Sequence, residues 1–391
     1  MKKIFRQENI YTLIWCLYYM QGTLYAEGSA ISQGLLAVFL LMSLYYFIKV
    51  FKYTNVPKPV LALKYLAILF GIYGLLRLGV STTGWKYVNE STTYFKEYEI
   101  SILPFFAFYY FSREHMINSK WFYNFSFIFF VTAIASFFYQ EAQALLHSWR
   151  QEVTNNSGYF VVSLMPLLVF LRKKPLIQYI ALFVVFILVM QGMKRGAIIA
   201  CIFGGAYFVW ASYNKAKGTK KFLFVILGGV AVVGAIVFFQ NLLANSDYMQ
   251  LRLEQTRNGD MSERENMYPA YYQYFFDNAG FLEYLFGYGA DGTLKNMGDF
   301  AHQDWLETLM NQGFLGLSLL LFFWVCMLMT LLRSRMQNCP NITAIIALFV
   351  IIYLMKSMFS MSINGMTLFA TSSLAYAIVG LDDSKIRKEF T

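Results

Sequence analysis

Apolar residues run along this chain in long unbroken blocks, and polar residues gather in the short gaps between them. The blocks fall at 10–26, 30–48, 60–80, 98–112, 121–139, 158–171, 176–193, 196–213, 222–239, 306–332, 342–360 and 365–380. Most have the ~17–25 residues that a helix needs to cross ~30 Å of hydrocarbon. None shows the ten-residue alternation of a membrane barrel. The pattern predicts an all-α polytopic membrane protein of about twelve spans. One stretch breaks the rhythm: 240–304 is the only polar segment long enough to build something of its own. The chain then divides into 1–239, with nine spans, the large loop 240–304 between spans nine and ten, and 305–391, with three spans and a charged tail.

Composition agrees. Of 391 residues, 58% are hydrophobic and 14% charged, against ~25% charged in a soluble chain. The start, Met1-Lys2-Lys3-Ile4-Phe5-Arg6, resembles a signal-peptide head. No small-residue cleavage site follows, so 10–26 reads as an uncleaved span. Placing the N-terminus in the cytoplasm puts most lysines and arginines inside, including Arg172-Lys173-Lys174 and the basic connector 215–221, as the positive-inside rule demands. Both termini are then cytoplasmic, and the large loop lies outside the bacterial inner membrane, in the periplasm of a diderm cell. The net charge of +10 is an orientation signal, and no nucleic-acid partner is expected. Cys16, Cys201 and Cys326 lie in spans and Cys339 in a short basic loop; with only His115, His147 and His302 beside them, no disulfide framework, metal site or cofactor is expected. The tail 382–388 reads as a solvated segment.

Four basic residues oppose the orientation rule: Arg77, Lys194, Arg195 and Lys356. Singly, Arg77 and Lys356 read as side chains that snorkel to the interface, and Lys194-Arg195 as an ordinary interfacial turn. All four fall at similar depth on the outer side. Ionisable groups at that depth are expensive, and together they suit an anionic head group: arginine grips phosphate with two parallel donors, lysine supplies a point charge. Gly196 allows close approach of the backbone.

The large loop adds Arg264, between Glu263 and Glu265, where a surface ion pair competes with a ligand role. Phe286-Gly287-Tyr288-Gly289 reads as a tight turn, not a nucleotide loop. Asp299 is a candidate N-cap for a helix starting near Phe300. That would place His302 in its first turn, over Leu306 and Leu309, beside a polar stripe of Gln303, Glu307 and Asn311. The helix dipole there disfavours imidazolium, and a neutral imidazole can act as a general base. A structural histidine fits the same position, and His147 is the rival candidate.

In these residues the chain resembles the bacterial O-antigen polymerases (Wzy) and O-antigen ligases (WaaL), membrane glycosyltransferases of the GT-C type. The resemblance spans about 154–335. It comprises Thr154-Asn155-Asn156-Ser157-Gly158 with Pro166 downstream, the turn Lys194-Arg195-Gly196-Ala197, Ser262-Glu263-Arg264, the turn at 286–289, and His302-Gln303-Asp304-Trp305-Leu306-Glu307 ending at Gly313 and Gly316. Gln303, Glu263 and Lys194 stand where the family usually has Asn, Gly and Ser.

The resemblance implies transfer of a glycan from an undecaprenyl-pyrophosphate-linked donor, without metal or nucleotide. The acceptor would be a second lipid-linked glycan, for a polymerase, or lipid A core, for a ligase. Membrane lipids and a chain-length regulator are further implied partners. Arg195 and Arg264 would hold the pyrophosphate and stabilise its developing charge, and His302 would orient or deprotonate the acceptor. Lys194, Arg77 and Lys356 join the substrate-binding set on charge and depth. The rival classes are a flippase or transporter, which would show internal repeats and broken helices, and a non-catalytic export scaffold, which would not need buried cations. The sequence shows neither repeats nor a broken helix.

Overall fold

The computed structural model describes residues 6–78, 92–147, 154–215, 247–257 and 264–390, with isolated positions between 218 and 244. Among the described residues the chain is helical, with no strand. Six helices among the described residues are long and apolar enough to cross a membrane: Ala30–Phe51, Lys58–Leu78, Ser119–Leu146, Arg195–Asn214, Asp304–Met336 and Pro340–Phe359. Three shorter apolar segments, Gly158–Leu171, Pro175–Gln191 and Leu368–Asp382, pack among them. The protein is a polytopic helical membrane protein. Most of the expected span 222–239, and the stretch around Glu263, lie outside the described residues.

Two helices form the centre. Thr92–Arg113 packs against Ala30–Phe51, Lys58–Leu78 and Leu368–Asp382. It is buried on every side from Tyr98 through Tyr109, with Phe105, Phe106, Phe108 and Phe111 all in the core, as a central helix must be. Leu368–Asp382 is buried from Leu368 through Leu381. The outer helices are inverted: Val38, Leu41, Leu44, Ile48 and Phe51 of Ala30–Phe51 face outward, the arrangement that hydrocarbon around the bundle favours.

Several expectations need correcting. The first apolar block forms a helix only over Gln7–Tyr19. At 1.5 Å per residue that is ~20 Å, short of the hydrocarbon core. The block 158–171 is a broken helix after all, made of Gly158–Val162, Met165–Leu168 and the 3-10 turn Val169–Leu171. Pro166 has no N–H to continue the ladder from the preceding turn. The polar groups of this segment find partners inside the bundle: Gln178 Nε2 donates to the Leu168 carbonyl at 2.8 Å, and Thr367 Oγ1 to Ser163 Oγ at 2.7 Å. The charged tail is docked, not solvated. Ser384–Phe390 buries Ile386 and Phe390, and the Glu389 carboxylate accepts from Ser119 N and Tyr376 Oη, both at 2.7 Å.

That docking defines one end of the bundle. Arg6 donates to the Met116 carbonyl, Arg172 to the Glu389 carbonyl, and Arg333 pairs with Asp382. The hairpin of Pro175–Gln191 and Arg195–Lys215 carries the chain from this end to the Lys194–Arg195 turn at the other, where Arg264 also lies. The described part of the loop 240–304 is helical: Asp247–Arg257, Arg264–Asn278, Phe281–Phe286 and Gly292–Met297. It has a small core separate from the bundle's, with Tyr271, Phe275 and Ala301 packed on Leu306, Leu309 and Met310.

Candidate active site

Asn155 builds the Lys194–Arg195 turn. Its N–H donates to the Gly192 carbonyl at 2.8 Å and its side-chain amide to the Phe137 carbonyl at 2.9 Å, while its side-chain oxygen accepts from Ser157 N at 2.9 Å. Gly192 is closely packed: a methyl there would meet Phe137 at 3.2 Å and the Asn155 carbonyl at 3.3 Å. Met193 follows in the left-handed region at φ 51°, and the helix Arg195–Lys215 starts two residues later. At Gly196 an added methyl would lie 1.9 Å from Tyr159 Oη and 2.9 Å from Phe359 Cβ. The turn is thus pressed against Tyr159 and the end of helix Pro340–Phe359.

Arg264 reaches the same place from the loop. Its Nη1 donates to the Phe359 carbonyl at 2.8 Å, an orphan acceptor at a helix C-terminus that a cation satisfies well. Phe359 is therefore contacted from both arginine segments. Lys356, one turn earlier, is buried; its Nζ donates to the Gly365 carbonyl at 3.1 Å and stands 5.4 Å from the centre of the Tyr159 ring.

His302 is positioned differently from expectation. The helix begins at Asp304, with Gln303 as N-cap, so His302 lies before it. Asp299 bonds the adjacent Phe300 N–H instead of capping a helix. His302 adopts φ 53°, a left-handed conformation uncommon outside glycine. It is half-exposed, with Nε2 3.9 Å from Asp299 Oδ1. Partial burial and the neighbouring Arg264 hold its imidazole below the usual histidine range, Lys194 adds to the effect, and Asp299 opposes it. Arg264, Lys194 and His302 therefore share one electrostatic environment.

Two buried carboxylates hold this segment. Glu307 accepts from Ala301 N and Asn311 Nδ2, both at 2.8 Å, and from the Thr293 hydroxyl. Asn311 Oδ1 in turn accepts from Thr293 N at 3.0 Å. Asp304 accepts from the Ser362 N–H at 2.8 Å and from its hydroxyl, tying the His302 segment to the loop after Phe359. The helix then breaks at Gly313, with φ 64° and ψ −159°. The break frees the carbonyls of Met310 and Asn311, and Tyr288 N and Gly289 N fill them at 2.8 and 3.0 Å. The turn at 286–289 is thus a plug in a helix kink, and the expected span at 306–332 is a short polar helix followed by the spanning segment.

Arg77 differs from its expected role. It does not snorkel: it is 2% exposed, and its Nε donates to Asp291 Oδ2 at 2.7 Å. This ion pair fastens helix Lys58–Leu78 to the large loop, so the geometry makes Arg77 an anchor. His147 lies at the end of Ser119–Leu146, its Nδ1 2.8 Å from the Gln143 carbonyl. Sequence reading gave Asp304 and Asn155 no role beyond membership of a motif, missed Asp291 and Tyr159, and took Glu307 as one member of a stripe. The polar residues spaced through 303–311 were the available signal.

Residues 179–321 match the protein-family model described as O-antigen ligase (Wzy_C). That stretch contains Lys194, Arg195, Arg264, His302 and Glu307, and the match supports a place in the superfamily of O-antigen polymerases and ligases. A search of curated proteins returned no match. The match supports a polymerase- or ligase-type function.

Proposed function

We propose that the protein is a polysaccharide polymerase of the O-antigen or capsular type. It transfers a glycan from undecaprenyl pyrophosphate to a second lipid-linked unit at the periplasmic face of the inner membrane, with both termini cytoplasmic. The observation that carries the reading is the meeting of Arg264 and the Arg195 turn at Phe359, beside a histidine held in its neutral range. Arg195 and Arg264, with Lys194 and Lys356, are the candidate ligands of the pyrophosphate. His302 is the candidate base. The acceptor oxygen attacks the anomeric carbon, and its proton passes to the imidazole. The sugar–oxygen bond to phosphate breaks, and its electron pair leaves on the pyrophosphate, where the arginines stabilise it. The resemblance implies neither metal nor cofactor, and a chain-length regulator remains an implied partner.

The description of the matching family model favours a second reading, transfer to lipid A core. Deletion of the gene separates them. Loss of long chains with one-repeat-capped lipid A retained supports the polymerase. Loss of every attached repeat supports the ligase. An unchanged surface glycan would overturn both.

A further inference from the structure

A cavity of about 340 Å³ is lined by Tyr159, which the Arg195 turn presses against, and by Lys356. Its walls come from helices outside the stretch that matches the family model: Tyr18 and Tyr19, Glu97, Asn156 and Asn364 line it together with Lys356. Most of the lining side chains carry a hydroxyl, an amide or a charge. A polyprenyl tail would leave these groups without water or a partner, which is costly. The aromatic rings in the wall are fixed in place: Tyr19 packs against Trp15 and Phe160, with centroids 4.2 and 5.2 Å apart. Lys356 is buried, and its hydrogen bond to Gly365 and its contact with the Tyr159 ring leave donor capacity toward the cavity. Glu97 accepts from Asn364 at 3.3 Å across one wall.

A rigid wall of tyrosines among amides, hydroxyls, a carboxylate and a lysine matches a sugar ring, which offers an apolar C–H edge and a rim of hydroxyls. The volume sits at the small end of ligand sites, ~300–1,000 Å³, so it suits one sugar residue and its linkage. We infer that this cavity is a glycan subsite, seating a sugar of a substrate while the pyrophosphate lies beside the Tyr159–Lys356 pair. The inference rests on the glycosyl-transfer reading. It adds a sugar-recognising role for the N-terminal helices.

The test is photocrosslinking in cells carrying Gln140→p-benzoylphenylalanine, at an exposed position on the cavity rim, in a deletion strain that this variant complements. The expected adduct reacts with antiserum to the cell's own surface glycan, and is absent from a strain that makes no lipid-linked glycan. An adduct with a single repeat or lipid A core assigns the cavity to the acceptor; one with polymer assigns it to the donor. Either supports the inference. Asn156→Ala and Glu97→Gln are expected to lower transfer about tenfold at limiting glycan and much less at saturation. No adduct, or adducts only with phospholipid, in a complementing strain would overturn the subsite while leaving glycosyl transfer intact. An unaltered glycan on gene deletion would instead remove the reading beneath it.

Discussion

Arg264 Nη1 donates a 2.8 Å hydrogen bond to the carbonyl oxygen of Phe359. The first residue of a loop helix thereby caps the last turn of a membrane helix, ninety-five residues away in sequence. Phe359 also lies against the Gly196 backbone. One helix end thus organises both arginine-bearing segments.

This relationship has a pH signature. A neutral His302 acting as base loses activity as pH falls through its pKa, which burial, Arg264 and Lys194 hold below 6.5. Arg264→Gln removes one of the lowering charges, so the acidic limb of the residual activity should move to higher pH. An unmoved limb, measured by transfer rate against pH, would mean that the titrating group is not His302.

Glu307 tests positioning. Glu307→Ala leaves the Ala301 N–H and the Asn311 amide without their acceptor, at ~1–3 kcal/mol for each buried group. A lowered unfolding temperature in detergent and a loss of transfer are both expected, with Glu307→Gln intermediate because it keeps one acceptor oxygen. Wild-type stability in Glu307→Ala would contradict the clamp.

Gly287 tests the plug. Its φ is 71°, and a methyl on it would lie 2.4 Å from the Asn311 carbonyl carbon. Gly287→Ala should destabilise the protein by ~1–3 kcal/mol from backbone strain alone, with more from the clash. Gly289 has φ 91° but open space around it, so Gly289→Ala should show the strain without the clash. Equal effects of the two substitutions on the unfolding temperature would count against the docked turn.

Arg77 separates an anchor from a ligand. Arg77→Ala strands Asp291 in a buried site, at ~3–5 kcal/mol. Arg77→Met combined with Asp291→Leu should recover much of that stability, and activity with it. A stable double variant with no transfer would return Arg77 to the substrate.

The helical class and most span positions were legible because hydrocarbon demands long apolar runs. Lys194, Arg195 and Lys356 stood out as misplaced cations against an apolar background, whereas Arg264 and His302 were drawn to them by the family resemblance. What escaped was governed by partners distant in sequence. Charge and depth alone gave Arg77 the same reading as Lys356, and only Asp291, 214 residues on, distinguishes them. The start of the helix at Asp304 was hidden because Asp299 satisfies every local rule for an N-cap. Glu307 decides the matter by drawing Ala301 N–H away from a helical path. The docking of the C-terminal helix rests on Ile386 and Phe390, two apolar residues in a stretch dominated by charge.

The most direct test is transfer by the purified protein in liposomes, supplied with lipid-linked glycan extracted from the deletion strain. Wild-type protein is predicted to lengthen or transfer the glycan with release of undecaprenyl pyrophosphate. His302→Ala at the same protein level should be slower by ~10²–10⁴-fold, and Arg195→Lys should be strongly impaired, because lysine keeps the charge but loses the fork. Transfer at the wild-type rate by His302→Ala would contradict the assignment of the base.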